Sequence, residues 1–228
     1  METVSVVIPC HNEEESIAEV IRAVPAGVLE ILIVDNNSTD RTAEISRSLG
    51  ARVVEEQKQG YGPALACGFR NARGDIIAAF DGDNQYPPYK VIEIADYLVA
   101  HNLDFISAAR FPLDDAGSEP LIRRIGNWGL TLATNVIFNL RLDDAQSGMW
   151  IFRKSALAHL PLEQTKESKG MSLTQEIKVR AATNPHIRFA EYHIPYHPRM
   201  GESKLNPFRD GWRMLTFLFK LRFESLKK

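Results

Sequence analysis

The stretch GDIIAAFDGDNQYPPYKVIEIADYLVAHNLDFISAA, residues 74–109, holds a strand, a helix and a second strand. GDIIAAFD (74–81) is a run of small and apolar residues with the composition of a buried strand. Pro87 and Pro88 cannot continue it but suit a helix start, and PPYKVIEIADYLVAH (87–101) follows as that helix. DFISAA (104–109) is the next strand. The first strand runs out into Asp81, Asp83 and Gln85. Side chains alternate along an extended chain, so these three oxygen-bearing groups point one way if the extended geometry persists to residue 85.

The same alternation extends toward the N-terminus. VSVVIP (4–9), EILIVD (30–35) and ARVVEE (51–56) read as strands. Helices fall at 12–24, 38–50 and 63–72, with Ser38 or Thr39 as a cap and Gly50 as a C-terminal stop. Strand, helix, strand at this spacing predicts an α/β fold with a mostly parallel central sheet and helices on both faces. Ligands of such sheets bind beyond the carboxyl ends of the strands, where Pro9, Asp35, Asp81 and Arg110 gather on one rim. The second half is less regular. Helices are expected at 121–142, 171–184 and 208–226, strands at 147–152 and 187–196, and polar loops at 112–120 and 197–207.

The 228 residues carry a formal net charge of −2, so nucleic acid is not an expected partner. Cys10 and Cys67 form neither a disulfide framework nor a zinc spacing, and a reducing cytoplasm is the simplest setting. METVSVVIP enters a strand directly, so no signal peptide is expected. No run of about 18 apolar residues predicts a transmembrane helix. From residue 199 onward, however, eight Lys/Arg face three Asp/Glu among many aromatics, which marks that end as basic and amphipathic.

Two carboxylates and an amide oxygen suit a hard cation such as Mg²⁺ or Mn²⁺ that leaves positions for phosphate oxygens. The plainer reading of Asp81 and Asp83 is a turn around Gly82. The chain has no GxGxxG after its first strand and no GxxxxGK[ST], which excludes a dinucleotide dehydrogenase and a P-loop enzyme. No helical i, i+4 pair of histidines offers a metal site.

VVIPCHNEEESI, IVDNNSTDRT, GYGPALACGFRNARGD, DGDNQYPP, SAAR, QSGMWIF and RMGESKL occur in the order found in glycosyltransferase family 2. The set most resembles that family's polyprenyl-phosphate branch, the dolichyl-phosphate mannose and glucose synthase group, over residues 3–205. The resemblance implies a GT-A type nucleotide-diphospho-sugar transferase fold. It implies that Pro9, Asn12, Glu13 and Asp35 hold the nucleoside of the donor. Asp81, Asp83 and Gln85 match the site of a divalent metal bridging the donor diphosphate. Arg110 matches an arginine facing the same rim, and could otherwise be a surface arginine. Arg199, Ser203 and Lys204 match a basic loop that closes on phosphates, and Arg123, Arg124 and Asn127 fall where the acceptor binds. Many relatives read Asp-Asp-Gly-Ser where this chain reads Asp35-Asn36-Asn37-Ser38. Asn37 tolerates the left-handed backbone a glycine would take, while base recognition loses a carboxylate at 36. Glu176 has three open readings: a general base, a contact to the donor sugar, or a helix-surface partner of Arg180.

The branch uses a polyprenyl phosphate acceptor at a membrane surface. Phe208, Trp212, Leu215, Phe219, Phe223 and Leu226 form an apolar stripe beside a basic one. Leu121, Ile125, Trp128, Leu132 and Val136 form another. Each stripe suits either a bilayer surface or packing on the protein's own sheet. The expected organisation is a transferase domain over 1–207 and a C-terminal amphipathic helix over 208–228. The expected setting is cytoplasmic and peripheral at the inner membrane face, with room for a separate anchor protein. The expected activity is a metal-dependent, inverting hexose transfer. Q-x-x-R-W is absent, so one transfer per encounter is expected, and a sugar hydroxyl is the alternative acceptor. The glycine-rich loop of a sugar nucleotidyltransferase is missing after the first strand. A nucleotide-binding adaptor would have no need of both intact motifs.

Overall fold

A computed structural model describes residues 2–113, 119–160, 172–200 and 207–225. Its first half runs β1 (Val4–Cys10), α1 (Ile17–Ala23), β2 (Glu30–Asp35), α2 (Thr42–Ser48), β3 (Arg52–Glu55), α3 (Tyr61–Asn71), β4 (Ile76–Ala79), α4 (Val91–Ala100) and β5 (Phe105–Ala109). The rest runs α5 (Leu121–Phe138), β6 (Trp150–Arg153), α6 (Ser172–Thr183), β7 (Phe189–His193) and α7 (Pro207–Ser225). The sheet order is β3-β2-β1-β4-β6-β5-β7. All pairings are parallel except the two made by β6, which lies antiparallel between β4 and β5. The parallel architecture read from the sequence is therefore present with one reversed strand.

Both faces of the sheet are covered, which is why the strands read as continuous apolar runs. Val6 and Ile8 pack with Ile17 and Val20 of α1 and Ile94 of α4 on one face. Val7, Leu32 and Val34 pack with Leu65 and Phe69 of α3 and Ile177 of α6 on the other. Each such side chain contributes about 1.5–3 kcal/mol by leaving water. α3 lies so close to the sheet that a Cβ on Gly68 would stand 2.4 Å from Val7 Cγ1. A glycine is required there by contact, not by conformation.

Two helix starts differ from the sequence reading. α1 begins at Ile17, because residues 11–16 form turns with Asn12 at φ 55°. α2 begins at Thr42 with Arg41 at its cap position, and neither Ser38 nor Thr39 caps it; Asp40 Oδ1, one residue earlier, accepts from Thr42 N at 3.0 Å and from its hydroxyl at 2.6 Å. Ser38 and Thr39 instead bond Asn12 and tie the β2 loop to the β1 loop. Asn37 at φ 61° and Gly50 at φ 84° take the left-handed backbone expected of them.

α5 and α7 pack on each other beside α6, where Phe217, Leu218 and Leu221 meet Val179, Ala133 and Ile137. The predicted apolar stripes are not what this core uses. Leu121, Ile125, Trp128 and Val136 of α5 stay exposed, as do Trp212, Phe219 and Phe223 of α7. Leu226 lies outside the described residues. No helix among the described residues is long and apolar enough to cross a membrane.

Candidate active site

The parallel strands β1, β2, β4 and β5 bring their carboxyl ends to one rim, and antiparallel β6 brings its amino end, residues 144–149, to the same place. The loop after β4 does not stay extended, because Asn84 turns left-handed at φ 63°. Asp81 and Asp83 still face a common space. Tyr61 donates its hydroxyl to Asp81 Oδ1 at 2.5 Å, and Arg199 Nη1 donates to Asp83 Oδ2 at 2.8 Å. Burial, then repulsion from Asp83, pushes the Asp81 carboxyl up to about 7. Burial likewise raises Asp83, against the pull of Arg199. Gln85 follows a different course: its side-chain nitrogen donates to the His197 carbonyl at 3.4 Å, and its backbone N–H donates to Asp83 Oδ1 at 3.1 Å. The turn at Asn84, not strand alternation, sets where Gln85 sits.

Among the described residues, no group of three or more His, Cys, Asp or Glu forms a metal cage. The donor set still fits a hard divalent cation that takes remaining ligands from a diphosphate. Burial raises both neighbouring carboxyls, Asp83 adds repulsion at Asp81, and one arginine stands against the two, which is a charge deficit that a cation fills. Space is kept for it as well. A Cβ on Gly148 would come within 3.4 Å of Asp81 Oδ2 and of the Tyr86 hydroxyl, to which Gly148 N donates at 2.7 Å.

The β1 and β2 loops sit beside this pair. Pro9 is in β1, in register with Val34, and Asp35 ends β2, where its Oδ1 accepts from Ser38 N at 3.3 Å. Asn12 Oδ1 accepts from Thr39 N at 2.7 Å. Glu13 lies 3.6 Å from Arg199 Nη2, so Arg199 joins the β1 loop to the carboxylate pair. Ser203 and Lys204 lie outside the described residues. Asn36 is buried and uses both donors and its acceptor locally: Nδ2 donates to the carbonyls of Glu56 and Lys58, and Oδ1 accepts from Gly60 N. A carboxylate could not make the first two bonds. The departure from Asp-Asp-Gly-Ser thus fastens β2 to the loop before α3.

Arg110 is neither a surface arginine nor an open rim group. Its Nε and Nη2 grip both oxygens of Asp144 at 2.7 and 3.0 Å, its backbone N–H donates to Asp144 Oδ2 at 3.1 Å, and its guanidinium lies over Tyr196. Lys178 of α6, also buried, donates to the Asp144 carbonyl at 2.5 Å. The Arg110 charge and its hydrogen bonds overcome burial and hold Asp144 down to about 2. Burial pulls Lys178 down to about 8. Glu191 accepts from the backbone N–H groups of Asp143 and Asp144. Glu176 is buried in α6 and accepts from Arg180 Nε at 2.8 Å, the pairing expected at i, i+4. Arg123 and Arg124 are half-buried in the first turn of α5, and Asn127 Nδ2 donates to Glu119 at 2.8 Å.

Several of these groups were not singled out from the sequence. Tyr61 and Tyr86 stand inside the quoted motifs GYGPALACG and DGDNQYPP, where an aromatic hydroxyl beside an acidic loop was the available signal. Asp144, Lys178, Glu119 and Glu191 carried none.

A seven-stranded, mostly parallel sheet with an aspartate pair at its carboxyl rim defines a GT-A type glycosyltransferase. Residues 5–160 match the model of Glycosyl transferase family 2, and the chain belongs to that family. The chain is 34% identical over 95% of its length to a low-salt glycan biosynthesis hexosyltransferase of Haloferax volcanii, and spans 53% of that protein. It is 32% identical over 97% of its length to a dolichyl-phosphate hexose transferase of the same organism, covering 94% of it. Among solved structures it resembles glucosyl-3-phosphoglycerate synthase from Mycobacterium tuberculosis, with a TM-score of 0.73 and 22% identity, over 97% of this chain and 80% of that one. That enzyme has been crystallised with UDP and Mn²⁺ and with UDP and Mg²⁺.

Proposed function

We propose that this glycosyltransferase moves a hexose from a nucleotide diphosphate sugar, of the GDP-mannose or UDP-glucose type, to a polyprenyl phosphate at a membrane surface, with inversion. The observation that carries the reading is the proximity of two things along α5. Its first two turns carry Arg123, Arg124 and Asn127, the same helix leaves Ile125, Trp128 and Val136 bare, and α7, which packs on it, leaves Trp212, Phe219 and Phe223 bare. Charged donors next to bare apolar surface suit a ligand with an anionic head and a hydrocarbon tail. The 32% identity to a dolichyl-phosphate hexose transferase supports the same acceptor class.

In this reading Asp81 and Asp83 hold a Mg²⁺ or Mn²⁺ ion, with Gln85 and Tyr61 setting the loop around them. When bound, that ion supplies Lewis-acid stabilisation of the departing nucleoside diphosphate. Pro9, Asn12, Glu13 and Asp35 hold the nucleoside, and Arg199, Ser203 and Lys204 neutralise the phosphates. Arg110, fixed in place by Asp144, lends positive charge to the acceptor side. A phosphate monoester has its second pKa near 6 and is largely ionised at neutral pH, so its attack requires positioning more than a base. The pinning of Glu176 by Arg180 agrees with that, since a general base for a hydroxyl acceptor would have to be released from its cation first. Residues 1–207 would carry the reaction and 208–228 the membrane contact. The setting would be the cytoplasmic face, with or without a separate anchor protein.

The test is direct. The purified protein is incubated with labelled nucleotide sugars, a short polyprenyl phosphate, and Mg²⁺, Mn²⁺ or chelator. Label should become extractable into organic solvent only with metal and the phosphate acceptor. Transfer to a free sugar hydroxyl instead would reject the acceptor assignment.

A further inference from the structure

Glu119 lies just before α5 and is 7% exposed, although it is one of the more costly side chains to bury. Its Oε1 accepts from Asn127 Nδ2 at 2.8 Å and stands 3.9 Å from Arg110 Nη1. Its Oε2 is buried with no hydrogen-bond partner among the described residues. Asp144 already takes the Nε and Nη2 edge of Arg110, so Nη1 is the edge left toward Glu119, at a distance too long for a hydrogen bond. Arg123 adds positive charge from the first turn of α5, yet burial still raises the Glu119 carboxyl above its ordinary range. An arginine edge and a side-chain amide thus meet at one anion that uses them incompletely, within reach of the charge of Arg123.

We propose that Glu119 is an internal stand-in for the acceptor's phosphate: its carboxylate keeps the seat formed by Arg110, Asn127 and Arg123, and a phosphate monoester must displace it to bind. This rests on the polyprenyl phosphate reading above. A tetrahedral phosphate offers three terminal oxygens where a carboxylate offers two in a plane, so it can meet Nη1, the amide and the second arginine together. The exchange also filters acceptors. A phosphate dianion replaces the negative charge that leaves, whereas a neutral hydroxyl would leave the Nη1 edge of Arg110 and the charge of Arg123 without an anion. Glu119 is thereby a specificity residue that never touches the reacting atoms.

Calorimetric titration of the full chain with geranyl phosphate, and separately with inorganic phosphate, reads the seat without the donor. Glu119→Gln keeps the shape and removes the competing charge, so both probes should bind about tenfold tighter than to wild type. The KM for a short prenyl phosphate acceptor should fall in parallel, with the donor's KM unmoved. Glu119→Asp keeps the charge but shortens its reach, and should bind the probes with intermediate affinity; it carries the test if the glutamine variant does not fold. Unchanged or weaker phosphate binding in both variants overturns the proposal and makes Glu119 a support for Arg110. The transfer assay reports on the acceptor class by itself: absence of transfer to prenyl phosphate in every variant would reject that reading, while inorganic phosphate binding still decides the role of Glu119.

Discussion

Asp144 and the Asp81–Asp83 pair are carboxylates below the surface of the same rim, and their charges are met in opposite ways. Asp144 receives Arg110 on both oxygens, backbone N–H groups, and Lys178 beside its carbonyl, and its carboxyl is held down to about 2. Asp81 and Asp83 share one arginine and one tyrosine, repel each other, and Asp81 is pushed up to about 7. In the first group the Asp144 carboxylate has its charge matched by its own partners, which fix Arg110 in place. The second is short of positive charge in a space that Gly148 keeps clear, and it is the one suited to a ligand's cation. Perturbation alone does not mark a functional carboxylate; the unmet charge and the space beside it set Asp81 and Asp83 apart.

The sharpest way to break this contrast is to neutralise one member of each group. Asp83→Asn should lower transfer by roughly 10³-fold, since metal stabilisation of a leaving diphosphate amounts to several kcal/mol. The same change should leave urea unfolding unshifted or slightly improved, because it relieves repulsion. Asp144→Ala does the reverse on stability. It strands Arg110 and Lys178 in the interior and should cost about 3–5 kcal/mol. A marked loss of stability in Asp83→Asn, or a stable Asp144→Ala, would collapse the distinction.

Titration offers a second probe. A carboxyl whose folded value is raised binds a proton that the unfolded chain has released, so Asp81 lowers the stability of metal-free protein as pH rises from about 4 to about 7. Asp144, with a lowered folded value, contributes stability that is complete above about 4 and is lost as pH falls toward 2. Melting temperatures at pH 5 and 8 should therefore fall with pH in chelator, and Mn²⁺ should cancel that fall. Asp81→Asn should show no such slope; an unaltered slope in that variant would assign it to another group.

The smallest effect concerns α7, where the same distinction between satisfied and unsatisfied groups applies to apolar surface. Leu218 is fully buried against α5 and α6, while Trp212 and Phe223 are 68% and 64% exposed. Leu218→Ala should cost about 2–5 kcal/mol. Trp212→Glu with Phe223→Glu should move stability by about 0.5 kcal/mol or less, yet reduce sedimentation with anionic vesicles. Vesicle binding should also weaken with salt, since each basic residue near the surface contributes about 1 kcal/mol. Equal vesicle binding by the double variant would remove the membrane role from this face.

The strands of the sheet were legible because burial on both faces writes long apolar runs into β1, β2, β4 and β5. The left-handed positions at Asn37 and Gly50 were legible because few residue types tolerate that backbone. The cap of α2 was misplaced because both residues singled out for it, Ser38 and Thr39, serve the neighbouring loop instead. Asp81 and Asp83 could be placed from local order alone. The Arg110–Asp144 pairing could not: the partners lie 34 residues apart, and the DD of RLDDAQ reads as an ordinary turn. Nor does periodicity tell a core stripe from a bare one. Of the two stripes drawn from periodicity, the structure leaves Leu121, Ile125, Trp128, Leu132 and Val136 of α5 and Trp212, Phe219 and Phe223 of α7 outside the core.

β6 sets an order of assembly. β4 and β5 are consecutive strands, yet no hydrogen bond joins them until residues 150–153 arrive and pair with both. Before that point in synthesis, β1, β2, β3 and β4 can already pair with one another and bury one continuous apolar layer. β5 must wait for β6, and with it the Arg110 side of the rim. Domains mature from the N-terminal side during translation, so a nascent chain raises the half of its rim that carries Asp35, Asp81 and Asp83 before the opposite wall exists. A ribosome stalled with residues up to about 110 exposed would then present a partial sheet whose open β4 edge is the place a chaperone has most reason to guard.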